Sequence, residues 1–406
     1  MKIVIIGAGP AGVSVAETVR SVERQAELVM LSAEPFPPYS PPAMADHFIT
    51  GSDTHLWRGV DWPKRTGVAY RKRVQVVAIE PEAHRLRLAN GKTLKYDRLV
   101  IATGSRLYAP LKGVDRPGVY NFKSLSAAEA LVKEIKKGKA RTALIVGAGF
   151  IGMEIALLLR ELGVEVTQIE MLDQVMAGML DADTAAIALN LMLERGVDVR
   201  LKTKAIAFTS RERATGVKLE SGQTLKADVL IAATGVKPNL DFLEGSGIAH
   251  RWGITVDDHL RTNAPDVYAA GDVAETRDRL TGETYVHAIF PNAVEQGRVA
   301  GLNLLGHDVT YEGADRMNSL KHLGLPIMAV GLKQGDEVMQ SRRNGSLRTL
   351  YLQENHLAGF QLVGDIRAAG VLRALLNARR DLRPIKHHLL DPNFGEGMLI
   401  WNAVAS

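Results

Sequence analysis

The chain has 406 residues, of which 46% are hydrophobic, and a formal net charge of +5 at pH 7. This length and composition indicate a large globular protein of about two to four domains. The sequence contains no cysteine, which excludes a redox dithiol, a peroxidatic thiolate, a disulfide and a thiolate-bound iron–sulfur cluster within the chain. The 11 histidines are scattered, and the pair His387 and His388 lacks metal-ligand spacing, so we predict no metal site.

The first predicted strand, Lys2 to Ile6, leads directly into a glycine-rich turn and a helix-forming segment. The turn reads Gly7-Ala8-Gly9-Pro10-Ala11-Gly12. Its glycines permit a tight turn and a close approach of the backbone to a pyrophosphate, and the helix directs unpaired N–H groups and its positive dipole end at the phosphates. The next strand, Leu28 to Leu31, ends in Ser32, and Glu34 follows. We assign Glu34, with Ser32 beside it, to a ribose.

A further strand follows a turn signal. Asn90-Gly91 lies between short strand-forming segments, which predicts a β-meander. Tyr96 to Gly104 then reads as an acid, a buried apolar strand and the small-residue turn Ala102-Thr103-Gly104.

A second copy of the glycine pattern follows the predicted strand Ala143 to Val146 and reads Gly147-Ala148-Gly149-Phe150-Ile151-Gly152. The next strand, Val164 to Ile169, ends in Glu170, which is placed to accept hydrogen bonds from a ribose diol. NADP-binding sites tend to place a basic residue here, whereas this chain continues with Met171, Leu172 and Asp173, so we predict NAD. The alternative for both copies is a tight α/β turn without a ligand.

An internal repeat follows the second copy. Ala227 to Gly235 nearly repeats Tyr96 to Gly104, including the turn at Thr234-Gly235, and Ser221-Gly222 precedes it as a turn signal. The pattern predicts a second β-meander before the chain returns to a parallel sheet. A strand within Thr262 to Asp272 then ends in Gly271-Asp272.

The last part of the chain, from about Met317, is expected to be a small separate domain. Leu347 to Leu352 and Leu357 to Val363 predict a hairpin about the turn 353–356, and Val371 to Leu382 predicts a helix. Residues 316–406 hold 12 lysines and arginines against 7 aspartates and glutamates, which accounts for the whole net charge of +5.

This localised charge favours docking of an acidic protein. A solvated basic face is the alternative. No nucleic-acid reader motif accompanies the charge. Membrane contact is not expected, because a helix of about twelve residues is a poor anchor.

These motifs, in this order, resemble the FAD/NAD(P) pyridine nucleotide-disulfide oxidoreductase superfamily over residues 1 to about 315. The resemblance implies an α/β fold with two Rossmann-like three-layer dinucleotide-binding domains, for FAD and NAD, and a small α+β C-terminal domain. It implies a discontinuous FAD domain at 1–118 and 245–315, an NAD domain at 119–244 and an interface domain at 316–406.

The resemblance also implies roles for individual residues. The Gly271-Asp272 carboxylate would bind the ribityl chain of FAD, and Asn292-Ala293 would begin a helix whose N-terminus points at the flavin pyrimidine. That dipole end would stabilise negative charge on reduced flavin by about 0.3 to 2 kcal/mol. A surface helix with a glycine cap is the alternative for 292–305. His47, Phe290, Lys321 and His322 are placed near the flavin by resemblance alone.

The lack of cysteine makes the sequence most similar to the branch of ferredoxin reductase-like proteins, nitrite reductase NADH domains and flavin subunits of multi-subunit dehydrogenases. Residues 34–42 follow that branch's acid, Pro-Tyr and Pro-Pro pattern, but Ser40 to Ala45 replace its usual Arg and Lys. Such a lysine near flavin N5 often pairs with a glutamate at the position of Glu154, so the resemblance leaves Glu154 without its usual basic partner. Glu154 either tunes hydride transfer, as our candidate catalytic residue, or is a buried, partnered acid.

Together these features predict an FAD-dependent NAD(H):acceptor oxidoreductase. Nicotinamide and flavin N5 would exchange hydride, and electrons would pass to or from an iron–sulfur partner or another subunit of a larger complex; the direction is left open. The alternatives are a self-contained NADH oxidase or quinone reductase, and a binding or assembly flavoprotein with a redox-switched conformation.

Location and the chain's end are less informative. The first strand starts at Lys2 and the apolar stretch 143–159 is interrupted by glycines and Glu154, so we expect no signal peptide, no membrane span and a cytoplasmic protein. In the tail 391–406, Phe394, Leu399 and Trp401 either dock on a partner or close over the chain's own core. The electron acceptor and the oligomeric state are not predicted.

Overall fold

The computed structural model describes residues 1–138, 140–210 and 212–395. The chain forms two compact units. Unit 1 consists of residues 1–109, 120–139 and 235–314, and unit 2 of residues 110–119, 140–234 and 315–406. This division is coarser than the three domains expected from sequence, and the boundaries of those three stay a prediction.

The helices of the described residues are mostly short, and glycine or proline stands at several of their N-termini. They are α1 Pro10–Val22, α2 Met44–Thr50, α3 Trp62–Thr66, α4 Leu125–Lys136, α5 Phe150–Glu161, α6 Ala182–Glu194, α7 Phe290–Asn303 and α8 Ala369–Asn377, with 3₁₀ turns at Pro41–Ala43, Pro81–Ala83, Asp241–Leu243 and Lys386–His388.

Among the described residues, strands alternate with helices around α1 and again from α4 to α6, and they follow one another in longer runs elsewhere. Up to the second meander they are β1 Lys2–Ile6, β2 Glu27–Leu31, β3 Ala69–Arg71, β4 Val76–Glu80, β5 Arg85–Leu88, β6 Thr93–Lys95, β7 Arg98–Ile101, β8 Ser105–Leu107, β9 Val119–Tyr120, β10 Thr142–Val146, β11 Glu165–Ile169, β12 Val197–Arg200, β13 Ala205–Phe208, β14 Gly216–Leu219 and β15 Thr224–Lys226. The remainder are β16 Val229–Ala232, β17 Val236–Pro238, β18 Ile254–Thr255, β19 Val267–Ala269, β20 Ala274–Arg277, β21 Thr284–Tyr285, β22 Met317–Leu320, β23 Ile327–Gly331, β24 Glu337–Arg343, β25 Ser346–Gln353 and β26 His356–Val363.

Unit 1 is built on a parallel sheet in the order β3-β2-β1-β7-β19. Alternate residues of β1 point to opposite faces. Ile3 and Ile5 belong to a buried cluster with residues of α1 and α7, whereas Val4 and Ile6 belong to a second cluster with residues of the meander β4-β5-β6. The sheet is therefore the middle of three layers.

Unit 2 repeats this plan with the sheet order β12-β11-β10-β16-β9. Its strands β10, β11, β12 and β16 pair in parallel, α5 and α6 pack on the sheet, and β13-β14-β15 form the second meander. Both meanders turn at the predicted positions. The repeat seen in the sequence is thus a repeat of architecture, and the α/β prediction with two Rossmann-like arrangements is confirmed.

The last sheet, β22-β23-β26-β25-β24, is antiparallel, and α8 packs on β23 and β26. Its hairpin β25-β26 matches the prediction. The predicted helix Val371 to Leu382 is too long, because α8 ends at Asn377 and Arg379 adopts a left-handed conformation with φ 45°. This turn lets Leu382 bury fully and donate its N–H to the Asn355 carbonyl at 2.9 Å.

The described part of the tail closes over the chain's own core. Phe394 is buried, and the buried guanidinium of Arg348 donates to the carbonyl oxygens of Leu389 and Asp391 at 3.0 and 2.9 Å. Leu399 and Trp401 lie outside the described residues. No helix among the described residues has the length and apolar character needed to cross a membrane.

Candidate active site

The first glycine-rich turn joins β1 to α1 and has two closed sides and one open side. Gly7 has φ +114°, and a Cβ there would overlap the carbonyl oxygen of Ala102; a Cβ at Gly12 would overlap the carbonyl oxygen of Gly7. A Cβ at Gly9 would meet no atom within 4 Å. Gly9 is also the N-cap of α1, so no side chain competes for the first N–H groups of the helix. The open side suits a phosphate group.

The second glycine-rich turn, between β10 and α5, has the same form. Gly147 has φ +105° and lies against the Ala233 carbonyl, Gly152 lies against the Gly147 carbonyl, and Gly149 faces open space and caps α5 before Phe150 and Ile151. Gln168, which is fully buried, closes the turn by donating to the Gly147 carbonyl at 2.9 Å. The structure therefore contains two backbone cradles of one design.

Glu170 lies against the second cradle. Its carboxylate accepts the N–H of Ala148 at 2.8 Å and that of Leu172 at 3.0 Å, one on each oxygen. Each carboxylate oxygen retains a further lone pair, and the binding of a ribose diol by Glu170 stays a prediction.

Glu34 has different partners. Its carboxylate accepts the N–H of Ser126 at 3.0 Å and the hydroxyl of Tyr39, and the Tyr39 oxygen accepts the N–H of Leu125 at 3.0 Å. Burial, followed by the charge of Glu34, raises the pKa of Tyr39, which keeps the phenol protonated as a donor. Glu34 thus fixes the N-terminus of α4. Ser32, buried at the end of β2, accepts the Glu34 N–H at 3.2 Å.

The Gly271-Asp272 turn carries a cation that sequence reasoning missed. Lys123 Nζ lies 3.0 Å from Asp272 Oδ2, and Ser105 donates its hydroxyl to the same oxygen at 2.8 Å. The side chains of Lys123 and Asp272 are 19% and 17% exposed, so the pair is largely shielded from water. No local motif marks Lys123, because the contact joins segments far apart in the chain.

The helix α7 begins at Phe290, two residues before the predicted start, with Asn292 and Ala293 buried in its first turn. Gly297 is not a cap: it lies inside the helix, where a Cβ would overlap the Ala11 carbonyl of α1. Buried Gln296 accepts the N–H of Gly271 at 2.7 Å. Helix α7 therefore packs closely on α1 and positions the Gly271-Asp272 turn.

The small-residue turns after β7 and β16 border the cradles, because they begin at Ala102 and Ala233, whose carbonyls lie against Gly7 and Gly147. Hydrogen bonds hold these turns in place. Thr103 donates its hydroxyl to the Asn239 carbonyl at 3.0 Å, and Asn239 returns a bond to the Thr103 carbonyl at 2.9 Å. The carbonyl of Gly104 accepts the Asn239 N–H at 3.0 Å, and that of Gly235 accepts the Tyr108 N–H at 2.9 Å. Thr234, the residue before Gly235, lies in unit 2.

Residues 1–297 match the family described as pyridine nucleotide-disulphide oxidoreductase. The chain belongs to this family. It is accordingly an NAD(H)-dependent oxidoreductase whose cofactors are FAD and NAD, and both cradles fit a dinucleotide, since each has an open glycine at a helix N-terminus.

Three proteins with printed names are similar to this oxidoreductase over most of its length. It is 30% identical to the epsilon subunit of NADH-dependent phenylglyoxylate dehydrogenase from Aromatoleum evansii, over 95% of this chain and 93% of that one. It is 27% identical to an NADH oxidase from Methanocaldococcus jannaschii, over 92% and 90%. The solved structure of a ferredoxin reductase from Rhodopseudomonas palustris has a TM-score of 0.84 at 26% identity and covers 94% and 95%.

The last sheet of the oxidoreductase contacts the segment that follows Glu170. Gln361 accepts the N–H of Asp181 at 3.1 Å and donates to the Met179 carbonyl at 3.3 Å. Lys333 donates to the carbonyls of Ala177 and Leu180, and Tyr351 donates its hydroxyl to Asp181.

The other end of this segment meets the second cradle, because the N–H of Met176 bonds to the Ala148 carbonyl at 2.9 Å. Burial, followed by the hydrogen bond to Asp181, raises the pKa of Tyr351, so its hydroxyl remains a donor. These links from the last sheet to the cradle were not predicted.

Glu154, the predicted catalytic residue, lies half-buried on α5 in unit 2 and has a polar or electrostatic partner. Lys321 and His322 also belong to unit 2, whereas His47 and Phe290 belong to unit 1. The role of Glu154 in hydride transfer stays a prediction.

Proposed function

We propose that this oxidoreductase exchanges electrons between NAD(H) and an iron–sulfur protein or subunit. The observation that carries the proposal is two complete cradles in a chain without cysteine. A thiol relay is excluded, so electrons must leave to an acceptor outside the chain. Bound FAD would supply the link between the two-electron chemistry of nicotinamide and the one-electron chemistry of an iron–sulfur cluster. The dehydrogenase subunit and the ferredoxin reductase named above support this choice.

In this proposal the first cradle, Gly7 to Gly12, holds the FAD pyrophosphate and the second, Gly147 to Gly152, holds that of NAD. Glu170 binds the NAD ribose, and Asp272 with Lys123 binds the ribityl chain of FAD. The N-terminus of α7, at Asn292 and Ala293, supplies a positive dipole end. Glu154 adjusts hydride transfer.

The proposed partner is acidic and docks on exposed arginines of the last domain. Arg379 and Arg380 are exposed and follow α8. Arg383 is paired with Asp381 at 2.6 Å, and Arg373 is paired with Asp315, so these two contribute less free charge than the sequence suggests. We place the protein in the cytoplasm, as a subunit of a hetero-oligomeric complex or as a separate reductase.

The proposal is tested by anaerobic titration of the FAD-loaded protein with NADH and then NADPH, followed by visible spectra. We expect NADH alone to bleach the flavin fully, and the reduced protein to reduce a one-electron dye quickly and oxygen slowly. Lack of bleaching by either nucleotide would contradict the proposal.

A self-contained NADH oxidase is the second candidate, because the relative from Methanocaldococcus jannaschii carries that name. Oxygen consumption by the isolated protein at the rate of NADH oxidation would favour it over the electron-transfer role.

A further inference from the structure

A cluster of metal-ligand side chains lies outside both cradles, at the C-terminal end of α2 in unit 1. His47 lies in the last turn of α2, and Asp53 and His55 follow in the next loop. One ring nitrogen of each histidine and one carboxylate oxygen of Asp53 all lie within 4.8 Å of one another. Among the described residues no other three histidine, aspartate or glutamate side chains meet in this way.

His55 has a buried nitrogen atom without a hydrogen bond. The residue is only 4% exposed, and its Nδ1 has no hydrogen-bond partner among the described residues. Buried polar atoms are nearly always bonded, and an exception indicates a missing water, ion or ligand. The rings of His47 and His55 have centroids 4.1 Å apart and are tilted by 46°, so both imidazoles border the same small volume.

The loop that presents these groups is held by its own backbone. Gly51 ends α2 in a left-handed conformation with φ +73°, and the His55 carbonyl accepts the Ser40 N–H at 2.7 Å. His47 Nδ1 lies 3.9 Å from Asp53 Oδ1 and 3.0 Å from the Ser52 carbonyl oxygen. Since a carbonyl oxygen only accepts, His47 Nδ1 donates this hydrogen bond in the metal-free chain. A metal ion at Nδ1 would replace it and leave the Ser52 oxygen as a fourth donor atom beside the cluster.

We propose that His47, Asp53 and His55 bind one divalent transition-metal ion of the zinc class. Two imidazoles and a carboxylate are a usual donor set for Zn²⁺, whereas Mg²⁺ and Ca²⁺ favour oxygen ligands. The fourth position is filled by water or the Ser52 carbonyl. The side chain of Asp53 is 79% exposed, so a metal ion can reach the cluster from solvent on that side.

The bound ion ties α2 to the loop after it. Phe48, beside His47, packs edge-on against Phe122 at 6.1 Å, and Phe122 precedes the Lys123 that pairs with Asp272. A metal at the cluster therefore stiffens a segment that borders this ion pair, and it takes no part in electron transfer.

The test uses the full FAD-loaded protein, stripped with a chelator and then dialysed against ZnCl₂, with bound zinc measured by mass spectrometry. We expect one Zn²⁺ per chain. His47→Ala and His55→Ala should each weaken binding at least tenfold, because each removes one of three ligands. The matched control is the double variant His387→Ala/His388→Ala, whose rings lie 3.9 Å apart at a similar tilt but are outside the cluster; it should bind zinc like the parent.

Because His55 is buried, its loss could disturb folding, so Asp53→Asn provides a second variant on an exposed side chain. FAD absorbance and far-ultraviolet circular dichroism report the fold of each variant. Replacement of Zn²⁺ by Co²⁺ should give visible ligand-field bands that disappear in His47→Ala. The proposal is overturned if the parent binds no zinc, or if folded His47→Ala, His55→Ala and Asp53→Asn all bind it as the parent does.

Discussion

Gln361 of β26 accepts a hydrogen bond at 3.1 Å from the main-chain N–H of Asp181, 180 positions earlier in the chain. Both residues belong to unit 2. The bond fixes the far end of a segment whose near end touches the second cradle through Met176 and Ala148. The last sheet is thus part of the support of the proposed NAD site.

We expect Gln361→Ala to weaken NADH binding by about three- to tenfold, because loss of a buried hydrogen-bonding group costs about 1–3 kcal/mol and part of that cost falls on the cradle. Stopped-flow reduction of the flavin at varied NADH concentration measures the effect. FAD content should not change. Gln353→Ala, at an exposed position of the neighbouring strand, is the matched control, and equal NADH affinities in the two variants would contradict this prediction.

The two kinds of glycine in the first cradle should respond differently to alanine. Gly7→Ala combines a positive φ with a steric overlap, and strained backbone alone costs about 1–3 kcal/mol, so the protein should lose stability in urea denaturation. Gly9→Ala meets no protein atom and should fold normally yet retain little FAD. A folded, FAD-replete Gly9→Ala protein would show that this side of the turn does not face the cofactor.

Lys123→Met should lower FAD affinity by at least about tenfold, because it leaves the carboxylate of Asp272 shielded from water without its cation. Lys123→Arg keeps the charge and should retain most of the flavin. Fluorescence titration of the apoprotein with FAD distinguishes the two variants, and unchanged affinity in Lys123→Met would limit Lys123 to a structural role.

Nucleotide preference should depend on Glu170. The double variant Glu170→Ala/Met171→Arg removes a diol acceptor and adds a cation for a 2′-phosphate, so the ratio of kcat/KM for NADPH to that for NADH should rise by about tenfold or more. Met171 is 60% exposed, which leaves room for the new side chain. Met171→Arg alone is the control and should change the ratio less.

Charge reversal at the proposed docking surface should slow reduction of an acidic iron–sulfur partner. Arg379→Glu/Arg380→Glu is expected to lower the association rate at low salt by about tenfold, with the difference shrinking as salt screens the charges. NADH reduction of the flavin should be unaffected. Lys133→Glu/Lys136→Glu on α4 is the control, and equal partner kinetics in both variants would remove the arginines from the docking surface.

The cradles could be predicted from sequence because their glycine pattern is local. Gly7 and Gly147 each have a positive φ, and each lies against the carbonyl of a distant residue, Ala102 or Ala233. The motif shows the need for glycine, although the second constraint arises only on folding. The hairpin β25-β26 was predictable for the same reason, since alternation and a turn signal are enough.

The remaining features depend on contacts between distant segments. Lys123 reaches Asp272 and Gln361 reaches Asp181 only after folding, so no spacing rule reveals them. The amphipathic pattern of α8 continues past Asn377, but the burial of Leu382 requires a turn there instead. The acid at position 34 fits the rule for a strand end, although the fold bonds its carboxylate to α4. His47 and His55 are eight positions apart, and only the loop between them brings their rings together.

Each unit is assembled from three separate stretches of chain, and this interleaving has a consequence for synthesis on the ribosome. The sheet of unit 1 lacks its edge strand β19 until residue 269 has emerged, and the sheet of β22 to β26 is made last. A nascent chain stalled before residue 314 contains neither unit in full. Until β19 is made, the edge of β7 that it covers stays unpaired, and an unpaired strand edge in a nascent chain is open to pairing with other chains.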